Sequence, residues 1–209
     1  MIRMFSDPIS ATIIITAFLA ALTIHEFAHG YAAHLLGDDT AKRYGRLTFN
    51  PLKHLDIFGT ILILFAGIGW AKPVPINPYN FKDMKIGTAL TAAAGPASNF
   101  IFAVLAAMIL RMLPTGTPNH SVIALALYVV VHVNILLGLF NLLPIPPLDG
   151  SKIIGGLMPD NMYFKWLDWE KKGAYLLMII IAIGIFTGRS FIFIMIGPPM
   201  NFLKSVLLG

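Results

Sequence analysis

His25 and His29 stand four residues apart, with a carboxylate beside the first, in the run His25-Glu26-Phe27-Ala28-His29. On an α-helix that spacing puts both imidazoles on one face, within reach of one metal ion. Glu26 lies one step round the helix, close enough to reach a water beside that metal. Soluble enzymes hold zinc and hydrolyse peptide bonds with this arrangement. The surroundings here are different: Ile13-Ile14-Ile15 and Phe18-Leu19-Ala20-Ala21-Leu22 read as lipid-facing helix. Ionisable side chains at membrane depth are costly and usually functional. The expected chemistry is therefore peptide-bond hydrolysis inside, or at the edge of, a bilayer.

Two histidines are an incomplete ligand set, because a catalytic zinc usually takes three protein ligands and leaves one position for water. The chain has no cysteine, so the third ligand must be another histidine or a carboxylate. Asp149 is the best candidate, in Leu142-Leu143-Pro144-Ile145-Pro146-Pro147-Leu148-Asp149-Gly150. Three prolines there forbid regular helix and hold the chain extended, and Gly150 allows a tight turn beside the carboxylate. A plain helix-capping role is the alternative for Asp149. His132 and Asp160 are the next ligands to test should Asp149 fail.

The elements that must bring these residues together are membrane segments. Hydrophobic residues make up 57% of the 209-residue chain and charged residues 12%, against roughly 25% charged in soluble domains; mean hydropathy is +0.77. These values predict an all-α, polytopic helical bundle forming one domain over 1–209, with no cleavable signal peptide. Apolar runs lie at about 8–36, 57–69, 86–113, 121–143, 173–187 and 191–208, giving five or six membrane segments. A crossing needs roughly 20 residues, so the run at 57–69 reads as re-entrant. The region at about 45–80 reads as extended or β-like. The last two runs, the C-terminal helices at about 173–208, are either two tilted crossings or one crossing with an interfacial tail.

Charge supports the re-entrant reading. If the run at 57–69 returns to its own side, Lys42, Arg43, Arg46, Lys53, Lys72, Lys82, Lys85, Lys152, Lys165, Lys171 and Lys172 share one face of the membrane. Only Arg3 and Arg111 lie on the other, leaving aside Arg189 and Lys204. The positive-inside rule then places the N-terminus outside. The formal charge of +5 is explained by these loops and needs no nucleic acid. Metal geometry makes the same demand. The end of the first run and Asp149 meet only if an even number of crossings separates them, and the runs at 86–113 and 121–143 supply two.

Three blocks in order give the chain a resemblance to the site-2 protease family of intramembrane zinc metalloproteases, in its compact form without a PDZ insert. They are His25-Glu26-Phe27-Ala28-His29-Gly30, Ala94-Gly95-Pro96-Ala97-Ser98-Asn99, and Asn141-Leu142-Leu143-Pro144 leading to Leu148-Asp149-Gly150. The stretches from Gly45 to His54 and from Gly69 to Pro75 are also similar to bacterial members, so the match runs from about 17 to 158. The resemblance implies one Zn2+ per chain, held by His25, His29 and Asp149, with Glu26 as the base. It implies a multi-pass protein of an archaeal or bacterial plasma membrane, with its active site near the cytosolic side. The implied partners are the lipid bilayer and transmembrane substrates, such as anti-sigma-factor remnants or signal peptides.

Other residues have two readings each. Asn141 either donates to a developing oxyanion or serves structure. Asn99 either helps line a polar path or bonds a neighbouring helix. Gly95 and Pro96 fit close packing or a kink with no chemistry. His132 is polar packing or a support to a ligand; His34 and His54 lie near interfaces. Trp166 and Trp169, beside Lys165, Lys171 and Lys172, read as an interfacial belt. The strand-like run 71–78 could pair with an unwound substrate, although its prolines remove donors. Two competing functions are a membrane metal transporter and a catalytically silent scaffold of the same fold. The outer half of the first segment offers a transport path only Ser10, Thr12, Thr16 and Thr23, and intact metal and base positions argue against a silent scaffold.

Overall fold

The computed structural model describes residues 7–56, 59, 71–114, 120–188 and 190–209. Its helices are α1 (Pro8–Leu35), α2 (Thr40–Arg43), α3 (Met84–Met112), α4 (His120–Asn141), α5 (Asp149–Leu157), α6 (Asp160–Thr187) and α7 (Phe191–Leu208). Local chemistry sets the ends. Asp7 caps α1, accepting from the Ser10 amide at 2.9 Å, with Pro8 at the first helical position. Asp83 caps α3 through the Ile86 amide at 2.9 Å. Gly188, at φ +66°, ends α6 in the left-handed conformation that glycine favours.

Helices α1, α3 and α7, with residues Ser121–Asn141 of α4, are long and apolar enough to cross a membrane. Large apolar side chains on their outer faces, among them Ile101, Leu105, Met108 and Phe193, are exposed. That pattern suits lipid as the surrounding solvent. Inside the bundle small residues let backbones approach. Ala17 and Ala21 of α1 pack on Val133 of α4. Ala103, Ala106 and Ala107 of α3 pack on Val131 and Ile135, with Met200, Leu203 and Leu207 of α7 alongside. Helices α1 and α3 run antiparallel: His29 meets Thr91, while Ala21, two turns earlier, meets Asn99. Leu36 and Asp83 therefore lie at the same end of the bundle.

Two expectations change, and a third falls outside the described residues. The run at 57–69 lies outside the described residues, apart from Gly59. No strand forms among the described residues of 45–80. There are two short 3-10 turns, Pro51–Lys53 and Pro78–Asn80, and one isolated antiparallel bridge, Leu55 to Ala71. The physical reason is the proline content of 71–78: Pro73, Pro75 and Pro78 have no N–H to extend a ladder. Finally, the helix expected to start near 173 begins at Asp160. Its charged first half is a good helix former, with Asp168 and Lys171 paired at 2.8 Å one turn apart.

Asp38 ties the end of α1 to the extended segment. It is fully buried and accepts from the Thr40 hydroxyl, from the Asn77 amide at 2.7 Å and from Asn80 Nδ2 at 2.6 Å. Burial pushes its carboxyl pKa up, but these hydrogen bonds, led by that from Thr40, outweigh it and hold the group below the ordinary range. A depressed folded pKa gives stability that is present above the unfolded value of about 3.9 and is lost as pH falls through the folded one. Its donors, on Thr40, Asn77 and Asn80, are only partly buried, so we expect Asp38→Ala to cost about 1–3 kcal/mol in all. Thermal unfolding in detergent at pH 7 should show that loss, and its size should shrink as the pH is taken below about 4.

Candidate metal centre

His25 and His29 occupy successive turns of α1 and are both buried. Asp149 is the first residue of α5, across the bundle and 120 positions beyond His29. Its Oδ2 lies 3.2 Å from His25 Nε2 and 3.1 Å from His29 Nε2, and the two Nε2 atoms are 3.0 Å apart. Among the described residues this is the one group of three or more His, Asp or Glu side chains able to hold a metal ion.

The hydrogen bonds behind the imidazoles fix which atoms face inward. Asn99 Nδ2 donates to the Ala21 carbonyl at 3.2 Å and to Asn134 Oδ1 at 2.9 Å. Its Oδ1 is thereby turned to His25 Nδ1, at 2.7 Å. An amide oxygen only accepts, so Nδ1 of His25 carries the proton and its Nε2 presents a lone pair. The Thr91 carbonyl does the same for His29 Nδ1 at 2.7 Å. Two imidazole lone pairs and a carboxylate oxygen thus converge with no donor among them. Lys152 Nζ reaches only the other oxygen of that carboxylate, at 4.0 Å, and a cation, or added protons, would balance the three inward atoms. The donor set of two nitrogens and one oxygen suits zinc, and the bonds behind each imidazole are the usual support for such ligands. On this basis Asn99→Ala is expected to weaken zinc binding about 10–100-fold while α1 and α3 remain packed. Zinc titration of the metal-free protein checks this, and unchanged affinity would leave Asn99 as helix packing alone.

Two glycines allow close approaches around this centre. A Cβ on Gly95 would overlap His29 Nε2 and lie 2.7 Å from His25 Cε1. A Cβ on Gly150 would strike the Leu142 carbonyl oxygen and come within 2.5 Å of that of Leu143. Gly150 was expected to form a tight turn; it sits instead inside the first turn of α5, and what it supplies is closeness to the preceding segment.

Glu26 is buried beside the histidines, and its Oε2 accepts from the Val74 amide at 2.9 Å. The segment that supplies this amide is pinned on both sides. Arg46 Nη2 donates to the Lys72 carbonyl at 2.7 Å, the Lys72 amide donates to the His54 carbonyl at 2.9 Å, and Asp38 holds the Asn77 amide. Burial lowers the pKa of Arg46, against the opposing influence of the Glu26 charge. The amides of Lys72, Val74 and Asn77 are thus already engaged, so any pairing of 71–78 with a substrate would rest mainly on carbonyls.

The remaining candidates bond to groups other than His25, His29 and Asp149. Asn141 Nδ2 donates back to Leu137 of its own helix at 3.0 Å. His132 stacks on Tyr128 within α4, with ring centroids 6.4 Å apart. Asp160 pairs with Lys85 at 2.6 Å, His34 with Asp39 at 2.5 Å, and His54 bonds the Thr48 carbonyl at 2.8 Å. The sequence reading missed Thr91, Val74, Arg46 and Asp38. Two of these act through backbone atoms, which carry no residue-type signal. Arg46, a buried cation in a loop beside an apolar segment, is the one that charge alone could have marked.

Known proteins are similar to this chain. Residues 116–186, which include Asp149, match the profile of Peptidase family M50. A Bacillus subtilis protein named "Putative zinc metalloprotease YwhC" is 41% identical over 174 residues, covering 81% of this chain and 80% of that one. A Mycolicibacterium smegmatis protein named "Putative zinc metalloprotease Rip2" is 28% identical over 177 residues, covering 82% of this chain and 66% of its own length. No solved structure matches.

Proposed function

Because this chain belongs to peptidase family M50, the site-2 proteases, and is a zinc metallopeptidase, we propose that it cleaves peptide bonds in or beside the transmembrane segments of other proteins. His25, His29 and Asp149 hold the zinc and Glu26 is the general base. The observation that carries this reading is the convergence of His25 Nε2, His29 Nε2 and Asp149 Oδ2, with Glu26 beside them, inside a bundle of membrane-length helices.

Bound there, zinc would lower the pKa of a water molecule and polarise the scissile carbonyl. Glu26 takes the proton of the attacking water and passes it to the departing amine. The Val74 amide holds one oxygen of that carboxylate in place and leaves the other for the proton. Asn99 and Thr91 keep the imidazoles turned inward. Asn141 retains one amide hydrogen for an oxyanion after its bond to Leu137. A substrate helix must unwind before attack, since its carbonyls are bonded to its own amides.

The helix directions support four crossings with the centre at the cytosolic edge of a plasma membrane. Leu36 and Asp83 lie at one end, so the chain between them returns to the side it left. Helix α6 starts at that end, where Asp160 pairs with Lys85. Helix α7 starts there too: Ile196 packs on Leu143 and Leu148, whereas Val206 meets Arg111 at the far end of α3. So α6 begins and ends on one side, and α1, α3, α4 and α7 cross. The basic residues cluster on the side of Asp149, which is then the cytosolic side.

The test is reconstitution in vesicles with a single-pass reporter. One zinc per chain, cleavage within the reporter's membrane segment, arrest by a chelator and recovery on adding zinc are expected. Cleavage that persists at full rate after the metal is removed, or a zinc-loaded protein that leaves membrane segments intact, would overturn the reading.

A further inference from the structure

We propose that helix α6 is the bracket that fixes the Asp149 turn, with Trp166 and Glu170 as its positioning residues. The inference rests on the reading of Asp149 as a zinc ligand. Asp149 opens a helix of nine residues preceded by Leu148, which makes no side-chain cap. Helices this short do not hold themselves, and an uncapped first turn has amides without helical partners. Neighbouring elements must therefore fix the direction of the carboxylate.

Ser151, fully buried and two residues beyond Asp149, receives that support. Trp166 Nε1 donates to its carbonyl at 3.0 Å. Its hydroxyl lies 2.8 Å from Glu170 Oε1 and 2.8 Å from the Leu148 carbonyl, so its one proton is shared between a carboxylate and the residue before Asp149. Trp166, Glu170 and Gly173 follow at steps of four and three along α6, which is one face of a helix. All three face the ligand block. A Cβ on Gly155 would come within 2.9 Å of Trp166 Cδ1, and one on Gly173 would overlap Pro146. The same face thus closes on the chain both before and after Asp149. Trp166, read as part of an interfacial belt, directs its indole N–H at the ligand turn.

The test uses the full chain in detergent, as wild type, Glu170→Ala, Glu170→Gln and Trp166→Phe. Zinc release to excess chelator should be about 10–100-fold faster in Glu170→Ala, the range seen when a ligand's support is removed. Glu170→Gln still offers an oxygen to the Ser151 hydroxyl and should stay within about threefold of wild type. Trp166→Phe keeps the packing ring, loses the N–H and should fall between. In metal-free protein, amide exchange over residues 150–154 should speed up in Glu170→Ala while α1, α3 and α4 stay protected. Wild-type zinc release and wild-type exchange in both Glu170→Ala and Trp166→Phe would overturn the proposal. So would equal damage from Gln and Ala at 170, which would mark a packing role. If Glu170→Ala does not fold, Trp166→Phe decides. If wild type holds no zinc, the zinc reading fails, and the exchange measurement still decides the bracket.

Discussion

Glu26→Gln is expected to lower cleavage of a transmembrane reporter by about 10²–10⁴-fold, the range for a lost general acid–base, with zinc content and helicity unchanged. The substitution keeps shape and volume. A glutamine oxygen can still accept the Val74 amide, so the pinned segment from Lys72 to Asn77 has no reason to move. What is lost is the ability to take a proton from water and return it to the amine. His25 and His29 keep their inward lone pairs, because Asn99 and Thr91 set those and Glu26 does not. The loss should therefore fall on kcat. A variant that cuts at the wild-type rate would remove Glu26 from the mechanism, and one that loses zinc as well would make it a structural residue.

Gly95→Ala is the second large effect, and its direction separates two readings of the same glycine. In a helix interior, exchanging glycine for alanine is ordinarily stabilising, by about 1 kcal/mol. A glycine that serves only as a packing notch could therefore become a gain. Here the added methyl would overlap His29 Nε2 and crowd His25 Cε1. Either the imidazoles swing away, breaking the bonds to Asn99 and Thr91, or α1 and α3 part. Overpacking of this kind costs about 1–3 kcal/mol. We expect zinc affinity to fall by about 100-fold or more, beyond the loss of a single supporting bond, together with a lower Tm. Zinc titration and thermal unfolding check both; full affinity with a raised Tm would show that the glycine does not serve the histidines.

The sequence was most legible where chemistry needs a particular residue type at a fixed spacing. A four-residue step between histidines is meaningful on any helix, and a carboxylate in a proline-rich break has few bland uses. Helix existence was readable from the apolar runs, since bilayer thickness dictates their length. Helix type was less readable after residue 157. A charged stretch such as Asp160 to Lys172 carries no hydropathy signal, although it is helical and continuous with the apolar run behind it. The β-like expectation for 45 to 80 is not met among the described residues, for a related reason. Prolines and β-branched residues suggest extended chain, but only pairing makes a strand, and Pro73 and Pro75 prevent a continuous ladder.

By itself, then, the amino-acid order determined the candidate ligands, the candidate base, the apolar helices and the pairing of two long runs that lets Asp149 return to His25. These depend on periodicity, hydropathy and charge, which are local sums. Only the tertiary structure decided that Gly95 clears space for the imidazoles and Gly150 for the Leu142 carbonyl, that a backbone amide at Val74 holds Glu26, and that Thr91 turns His29. These relations join backbone atoms or missing side chains on helices far apart in the chain. Every residue carries the same amide and carbonyl, so which of them meet is set by how the helices pack and not by the letters that name them.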